Sequence, residues 1–239
     1  MDYAVYLLAL ALLSVLGRLP LTLAFRLGGL LGLLAWAVLP GYRRLARRNV
    51  AIAFGGTMSD REIRRTVRQH FRNLGANLLS VPRLARLPEE KVQARVDLIG
   101  LPALRATLEQ GRGVVLAINH IGNWELYAQL IGRVREFPVG AIFQSQRNKY
   151  INRLIERSRQ RLGLRTFDRR KGYLDAVDLV EKGGVLAILV DQHAGDGALW
   201  TPLFRKFAST SPLAAIIAER TGAPLISVAI HTTGVARRR

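Results

Sequence analysis

Two uninterrupted apolar stretches that end in polar side chains constrain the fold more than any other feature of this sequence. Val114–Asn119 is followed by His120, and Val185–Val190 is followed by Asp191, Gln192 and His193. Short apolar runs bounded by turn residues are typical of strands buried on both faces, as in parallel sheets covered by helices. Strand-like and helical segments alternate from residue 101 onward. We therefore predict an α/β fold with a largely parallel sheet covered by helices.

The remaining elements follow from apolar periodicity and from turn residues. Further strands are predicted over Val96–Ile99, Phe137–Phe143 and Pro224–Ile230. Helices are predicted over Leu101–Gln110, from near Asn123, and over Lys149–Leu162, Lys171–Lys182 and Pro212–Thr221. Ser59 and Glu62 form a capping box. The helix after it is expected to carry an apolar stripe of Ile63, Val67, Phe71, Leu74 and Leu78, and Pro82 then breaks the helical pattern. Its other face carries five arginines, which either face solvent or dock an acidic partner: Arg61, Arg64, Arg65, Arg68 and Arg72.

The first 42 residues form a separate apolar region. Tyr3–Gly17 and Leu27–Pro40 are free of charged residues, but each is shorter than the roughly 20 residues that a spanning helix needs. Joined as one tilted segment they could span a bilayer, apart they would lie in its interface, and a third alternative is two buried core helices. Arginines between residues 43 and 48 follow, and the positive-inside rule places them in the cytoplasm. We predict a membrane anchor over residues 1–42 and a second domain over residues 43–239.

The charge of the chain is strongly unbalanced. Lys and Arg number 36 against 17 Asp and Glu, for a net charge of +19. This balance favours anionic partners, namely membrane lipids, phosphates, acidic carrier proteins or nucleic acid, although a bias toward arginine codons would also produce it. The sequence contains no cysteine, which excludes disulfides and thiol catalysis.

His120 is the candidate catalytic residue. It follows a predicted buried strand, and ligands of open α/β sheets gather at such strand ends. Glu125 lies five residues on, about 500° of helix rotation, so the two side chains meet only if His120 is on the loop and Glu125 is in the first helical turn. An imidazole held by a carboxylate is typical of a general base. The end of the second apolar strand is expected at the same sheet edge.

Three kinds of chemistry fit such an edge. The first is acyl transfer, with His120 as base and an amide or arginine stabilising the oxyanion. The second is a metal site of Asp191, His193 and Asp196, but this spacing is common by chance, and we predict no metal. The third is serine hydrolysis, which the absence of a Gly-x-Ser-x-Gly elbow argues against.

The segment Asn119–Glu125 closely resembles the His-x4-Asp/Glu block of the bacterial lipid A late acyltransferases, the lauroyl/myristoyl transferase family. Phosphatidylinositol mannoside acyltransferases are among the broader relatives of that family. Further blocks resemble the family in the same order along the chain: Arg48-Asn49 with Phe54, Asn148 with Arg153–Arg157 and Gly163, Asp191-Gln192, Pro202–Phe204 with Ser209-Thr210, and Ala218–Pro224.

The resemblance implies a glycerolipid-acyltransferase-like fold and a membrane-bound enzyme on the cytoplasmic face of a bacterial inner membrane. Such an enzyme moves a fatty acyl chain from acyl carrier protein, or from acyl-CoA, to a hydroxyl of a lipid A precursor or related anionic glycolipid, without a cofactor. His120 would take the acceptor proton, and Glu125 would orient the imidazole. The residues implied in substrate binding are Asn119, Asn123, Trp124, Arg147, Asn148, Asp191, Gln192 and Arg205.

The sequence departs from the family pattern at three points. Gln144 stands where the family has arginine, so either Arg147 supplies the positive charge or the acceptor phosphate is recognised differently. Arg205 stands where the family has glycine after Phe204, and it would either supply that charge instead or close the pocket. The chain is also expected to lack the usual C-terminal end of the family. Two other functions remain open at this stage: acylation of a glycerolipid by the same base, and a non-enzymatic basic protein that binds membrane or nucleic acid. The apolar N-terminal region and the sparse aromatic residues in basic stretches argue against nucleic acid.

Overall fold

The computed structural model describes residues 2–130, 134–160 and 163–233, and these form two compact units. The first unit comprises Met1–Ala11, Leu87–Leu199 and Ser209–His231. The second comprises Leu12–Arg86, Trp200–Ala208 and the residues from Thr232. These units are defined by how compactly the chain packs, whereas the membrane anchor over residues 1–42 was predicted from its expected attachment to a bilayer. The boundary at residue 42 stays a prediction.

The elements of the described residues are as follows. The helices are α1 (Asp2–Leu16), α2 (Leu21–Val38), α3 (Pro40–Phe54), α4 (Asp60–Leu84), α5 (Glu89–Gln93), α6 (Leu101–Glu109), α7 (Leu126–Leu130), α8 (Lys149–Gln160), α9 (Tyr173–Glu181) and α10 (Leu213–Thr221). The strands are β1 (Val114–Ile118), β2 (Val139–Phe143), β3 (Arg165–Asp168), β4 (Val185–Leu189), β5 (Leu199–Leu203), β6 (Lys206–Thr210) and β7 (Leu225–Val228).

The first unit is built on a parallel sheet with strand order β3-β2-β4-β1-β7. All of its strand pairs are parallel. Although β1 and β4 are far apart in sequence, they are neighbours in register, with Val114 opposite Val185 and Ile118 opposite Leu189. Their carboxyl ends therefore meet at the same edge of the sheet.

Both faces of this sheet are buried, which explains why its central strands read as continuous apolar runs. Val115, Leu186 and Ile188 belong to one core cluster, together with side chains of α9 and α10. Val114 and Val185, whose side chains point the opposite way, belong to a second cluster with Leu108 of α6. Alternate residues of one strand thus enter different cores, and the predicted α/β fold with a helix-covered parallel sheet is confirmed.

In the second unit, glycines allow α2 and α4 to approach very closely. A Cβ atom added to Gly32 would lie 2.0 Å from the carbonyl oxygen of Phe71, and one added to Gly75 would lie 2.2 Å from that of Gly28. The apolar stripe of α4 is buried at Ile63, Val67 and Phe71, whereas Leu78 is exposed. The predicted capping box is confirmed, with the Glu62 carboxylate accepting from the Ser59 backbone N–H at 2.7 Å.

The apolar N-terminal segment forms two helices rather than one tilted helix. α2 is long and apolar enough to cross a membrane, with a mean hydropathy of 1.8, and α1 is a shorter apolar helix. A core helix of a protein and a signal sequence also meet these criteria of length and composition. On these criteria α2 is a candidate membrane anchor.

Most predicted element positions are confirmed within a few residues, but several are wrong. Val96–Ile99 is irregular rather than a strand, the helix expected near Asn123 begins at Leu126, and α4 continues past Pro82 to Leu84. Strands β3, β5 and β6 were not predicted. The predicted end of α8 at Leu162 lies outside the described residues.

Candidate active site

His120 and Asp191 meet where β1 and β4 end. The two strands terminate level with each other, and the backbone N–H of Val190 donates to the carbonyl of Ile118 at 3.1 Å. The next residues of both strands leave the sheet at its carboxyl edge, which is where ligands of parallel α/β sheets bind. The prediction that the two apolar strands open on one edge is confirmed.

The carboxylate of Asp191 holds His120 by two hydrogen bonds. Oδ1 lies 2.7 Å from the imidazole Nδ1, and Oδ2 accepts from the His120 backbone N–H at 2.7 Å. An ionised carboxylate can only accept, so we assign the ring proton to Nδ1 and the basic lone pair to Nε2. The side chains of His120 and Asp191 are 26% and 34% exposed, so solvent reaches the pair only in part.

The loop between His120 and α7 is positioned by a glycine and an indole. Gly122 has φ +63°, and a Cβ atom there would lie 2.1 Å from the carbonyl oxygen of Ile230, so only glycine fits this approach. The ring of Trp124 packs edge-on against the imidazole, with 5.2 Å between centroids and 66° between planes. Asp191 and Trp124 thus restrict the imidazole from two sides.

Glu125 lies in a turn immediately before α7. The predicted contact between His120 and Glu125 is absent among the described residues, and Asp191 occupies Nδ1 instead. The half-buried Glu125 side chain remains on the same short loop as His120. A catalytic role for Glu125 stays a prediction.

The three amide side chains near these strand ends, Asn119, Asn123 and Gln192, differ in their burial. The Oδ1 atom of Asn119 is buried and has no hydrogen-bond partner among the described residues. A buried acceptor without a partner carries a desolvation cost of about 1–3 kcal/mol, so a donor that reached it would be bound favourably. Asn123 is buried, with 5% of its surface exposed, and Gln192 is exposed beside Asp191.

The side-chain amide of Asn148 hydrogen-bonds to backbone groups of two helices. Its Oδ1 accepts from the backbone N–H groups of Tyr150 and Ile151, at 3.0 and 3.2 Å, and its Nδ2 donates to the carbonyl of Asp2 at 3.0 Å. The side chain thus caps the first turn of α8 and fixes the start of α1. Arg147, one residue earlier, is exposed.

Arg205 belongs to the second unit. It lies in the tight turn between β5 and β6, where Phe204 and Arg205 both have positive φ angles, 47° and 61°. Non-glycine residues adopt this region rarely. Its side chain is exposed.

A cation that the sequence did not reveal stands beside Gln144. The guanidinium of Arg169, just after β3, donates to the Gln144 side-chain oxygen at 3.2 Å. β2 and β3 are parallel neighbours, with Phe143 opposite Asp168, and this adjacency brings the two residues together. Arg169 therefore places a positive charge beside Gln144, the residue that stands where the family has arginine.

Asp168 fixes the same part of the edge. Ser145 Oγ donates to its Oδ2 at 2.5 Å, and the backbone N–H of Arg170 donates to Oδ1 at 2.9 Å. The Ser145 hydroxyl first, and the backbone donors after it, hold the pKa of the Asp168 carboxyl below its ordinary value. Asp168 is therefore a charged anchor between β2 and β3 at neutral pH.

Tyr127 is a further residue that no sequence signal indicated. Its hydroxyl donates to the carbonyl of Val228 at 3.0 Å, which joins α7 to the end of β7. Burial, and then the negative charge of Asp191, raise the pKa of Tyr127 to about 12. The phenol is therefore neutral over the physiological range and acts as a donor.

The described residues contain no group of three His, Asp or Glu side chains placed to hold a metal ion. Of the trio considered from sequence, His193 Nε2 lies 3.8 Å from Asp196 Oδ1. Asp191 instead contacts His120.

Comparison with known proteins identifies the family. The model of the bacterial lipid A biosynthesis acyltransferase family matches residues 1–236. The chain belongs to this family. Among curated relatives, the lipid A biosynthesis lauroyltransferase of Escherichia coli K12 is 27% identical over 223 residues, which are 92% of this chain and 71% of that protein. The palmitoleoyltransferase of the same strain is 24% identical over 213 residues, 88% of this chain and 68% of that protein.

Membership in the lipid A biosynthesis acyltransferase family makes the chain an acyltransferase that acts in lipid A synthesis. The resemblance found in the sequence is thereby confirmed. At the sheet edge, the imidazole of His120 is held by the carboxylate of Asp191.

Proposed function

We propose that this lipid A acyltransferase moves a fatty acyl chain from the thioester of acyl carrier protein, or of coenzyme A, to a hydroxyl of a lipid A precursor or related glycolipid. The observation that carries the proposal is the His120 imidazole, which Asp191 holds through Nδ1 so that Nε2 is the basic nitrogen. The names of the Escherichia coli relatives, a lauroyltransferase and a palmitoleoyltransferase, support a fatty acyl group as the cargo.

In this reaction His120 Nε2 takes the proton of the acceptor hydroxyl as its oxygen attacks the thioester carbonyl. The new C–O bond gives a tetrahedral oxyanion. Breaking the C–S bond releases the thiolate, which recovers the proton from the imidazolium. An alcohol and a thioester thus give an ester and a thiol, and no cofactor is needed.

Asp191 serves as a positioning residue in this scheme. Its carboxylate fixes the tautomer of the imidazole and stabilises the imidazolium formed when the proton is taken. The sequence assigned this part to Glu125, which we keep as a candidate for a contact made with substrate bound.

The remaining site residues are proposed substrate contacts. Asn119 offers a buried amide oxygen without a partner among the described residues, and Arg169 with Gln144 supplies charge at the neighbouring strand ends. Asn123, Trp124 and Gln192 border the same loops. We propose a structural part for Asn148, because its polar atoms are already bonded, and we keep Arg147 and Arg205 as candidates for binding anionic groups.

We propose that the enzyme works on the cytoplasmic face of a bacterial inner membrane, attached through α1 and α2. The pairing of α2 with α4 bears on how it is attached. Gly29, in the middle of α2, lies beside Arg72 of α4, whose Cγ would be 3.4 Å from an added Cβ. A spanning α2 in this pairing would carry Arg72 toward the bilayer centre, at a cost of about 2.5–3.5 kcal/mol. An interfacial position avoids that cost and lets the exposed leucines of α2 enter the lipid.

The decisive experiment measures acyl transfer by the full chain in membranes, with acyl carrier protein and CoA thioesters as alternative donors. His120→Ala should lower the rate by about 10²–10⁴-fold, the usual contribution of a general base. His193→Ala, which removes an exposed imidazole at the neighbouring strand end, is the matched control and should retain the parent rate. Equal rates for His120→Ala and the parent would refute the proposed base.

The acceptor is tested in the same assay. A lipid A precursor and a lysophospholipid are supplied in parallel, and we expect only the glycolipid to be consumed. Consumption of the lysophospholipid alone would instead support the glycerolipid acyltransferase that the sequence left open. Mass spectrometry of lipid A from a strain without the gene should show the loss of one acyl chain, whose length identifies the natural donor.

A further inference from the structure

The second unit contains a shallow cationic cleft that has no part in the proposed chemistry. The cleft has a volume of about 120 Å³ and is lined by Trp36, Arg43, Arg47, Arg64 and Val67. It is formed at the carboxyl end of α2 by residues of α2, α3 and α4. We call it the Trp36 cleft.

Trp36 organises the arginines around this cleft. The guanidinium of Arg43 lies 5.3 Å from the indole ring centre, and that of Arg68 lies 6.0 Å from it. Arg43 also donates from Nη1 to the carbonyls of Trp36 and Ala37, at 2.9 and 3.3 Å. These carbonyls are in the last turn of α2, where a helix favours a cation. Arg43 is therefore held in place by the helix end and by the indole.

Negative charge is scarce in this unit. Residues 12–86, all of which the structure describes, include thirteen arginines but only two acidic residues, Asp60 and Glu62. Glu62 is bonded to Ser59 in the capping box, and Asp60 pairs with Arg64 at 3.7 Å while both side chains are largely exposed. An exposed pair at that distance is weak, so the arginines around the cleft repel each other and favour an anion between them.

The position of the cleft indicates the source of the anion. It adjoins the last turn of α2, and the outward leucines and valine of this helix are exposed, Leu30 at 63%, Leu34 at 56% and Val38 at 60%. Tryptophan and arginine next to an apolar helix are typical of the headgroup level of a membrane. A single phosphate group also fits a cleft of about 120 Å³.

We propose that the Trp36 cleft binds the phosphate of an anionic phospholipid headgroup at the membrane surface. This inference rests on the membrane attachment proposed above and is independent of the chemistry at His120. The phosphate accepts hydrogen bonds from Arg47 and Arg64 while Arg43 and Arg68 contribute charge beside the indole. Arginine suits this task because its planar fork can contact two phosphate oxygens at once.

The test measures lipid retained by the full-length protein in detergent, by native mass spectrometry, with short-chain phosphatidylglycerol and phosphatidylcholine as probes. The parent should retain phosphatidylglycerol in preference to phosphatidylcholine. The double variant R64Q/R68Q should bind phosphatidylglycerol roughly 30-fold more weakly, the loss expected for two arginines near an anionic headgroup. The control R61Q/R65Q changes the same net charge on the same helix outside the cleft and should bind like the parent.

The outcomes separate this inference from its alternatives. If R61Q/R65Q weakened phosphatidylglycerol binding as much as R64Q/R68Q, binding would depend on the overall positive charge of the helix rather than on the Trp36 cleft. That result would refute the proposal. Competition by inorganic phosphate at concentrations equal to the lipid would point to a soluble phosphate ligand. A variant R64Q/R68Q that loses affinity for acyl carrier protein, or for the lipid A acceptor, while it retains phosphatidylglycerol would also refute it. His120→Ala should leave lipid retention unchanged, so that failure of the proposed catalysis and failure of the headgroup site are distinguished.

Discussion

Asp191 uses both of its carboxylate oxygens on one residue, His120. This double contact fixes the imidazole ring relative to its own backbone, so the side chain presents Nε2 in one direction. Because Asp191 comes from a different strand, 71 residues away in the chain, the arrangement depends on the fold rather than on local sequence. The carboxylate is therefore expected to act on the orientation of the base rather than on substrate binding.

We predict that Asp191→Asn lowers kcat by at least about 10²-fold and leaves KM near the parent value, because the amide no longer fixes the Nδ1–H tautomer. Nitrogen NMR of the His120 ring should show protonated Nδ1 in the parent and a mixture of tautomers in the variant. Glu125→Gln is the matched comparison, for which we expect a smaller loss and an unchanged tautomer. A tautomer that responds to Glu125→Gln and not to Asp191→Asn would restore Glu125 as the partner.

Asp168 provides a prediction about pH. Its pKa is lowered in the folded protein, so the ionised carboxylate stabilises the fold at pH values above the unfolded pKa of about 3.9. That contribution disappears as the pH falls through the lower pKa of the folded state. Asp168→Asn should therefore have a lower urea midpoint than the parent at pH 7, and the two midpoints should converge in acid. Ser145→Ala should reproduce the effect, and a difference that grew as the pH fell would contradict it.

At the scale of elements, the sequence is most informative where apolar runs are fully buried. β1 and β4 were predicted to within one residue because both of their faces enter cores, so that every residue is apolar. β3 is an edge strand of sequence Arg-Thr-Phe-Asp with a single buried residue, and it gave no such signal. The hairpin of β5 and β6 has mostly exposed strands, with Ser209 the one buried residue, and a turn without glycine. The segment Val96–Ile99, which contains Asp97, was wrongly predicted as a strand, and its Ile99 is almost fully exposed.

The candidate site could be predicted in part for the same reason. The strand ends that carry His120 and Asp191 were recognisable, and their shared edge follows from parallel strands. Asp191 could not be recognised as the partner of His120, because local sequence does not reveal that β4 lies next to β1. Arg169 was not predicted for a related reason, since its contact with Gln144 depends on the unpredicted strand β3.

The close approach of α2 and α4 leads to a prediction about packing. Gly32→Ala places a methyl group 2.0 Å from a backbone oxygen of Phe71, and neither backbone can give way without separating the helices. We expect a loss of about 1–3 kcal/mol in the free energy of unfolding, measured by denaturation in detergent. Gly29→Ala is the control, because its nearest neighbour is the flexible Arg72 side chain at 3.4 Å. It should gain about 0.5–1 kcal/mol from helix propensity, and equal stabilities would contradict the proposed packing.

For the whole molecule, we expect the net charge of +19 and the exposed apolar residues of the N-terminal helices to make separate contributions to the proposed membrane attachment. We predict that binding to vesicles containing phosphatidylglycerol weakens as salt is raised from 0.1 to 1 M, where the screening length falls from about 10 to about 3 Å. Binding to purely zwitterionic vesicles should be weaker but insensitive to salt. Flotation at both salt concentrations measures the two contributions, and a salt effect of the same size in both vesicles would contradict the separation.

Because β1 and β4 end opposite each other, at Ile118 and Leu189, their register determines which core substitutions this enzyme can tolerate. A slip of one residue between these strands would turn Asp191 to the opposite side of the sheet and leave the imidazole without its anchor. The pairing of hydrophobic residues deep in the core, such as Val114 with Val185, therefore sets the alignment of the proposed base, His120, several residues away. Core substitutions that only shift this alignment are expected to abolish turnover in proteins that are still folded.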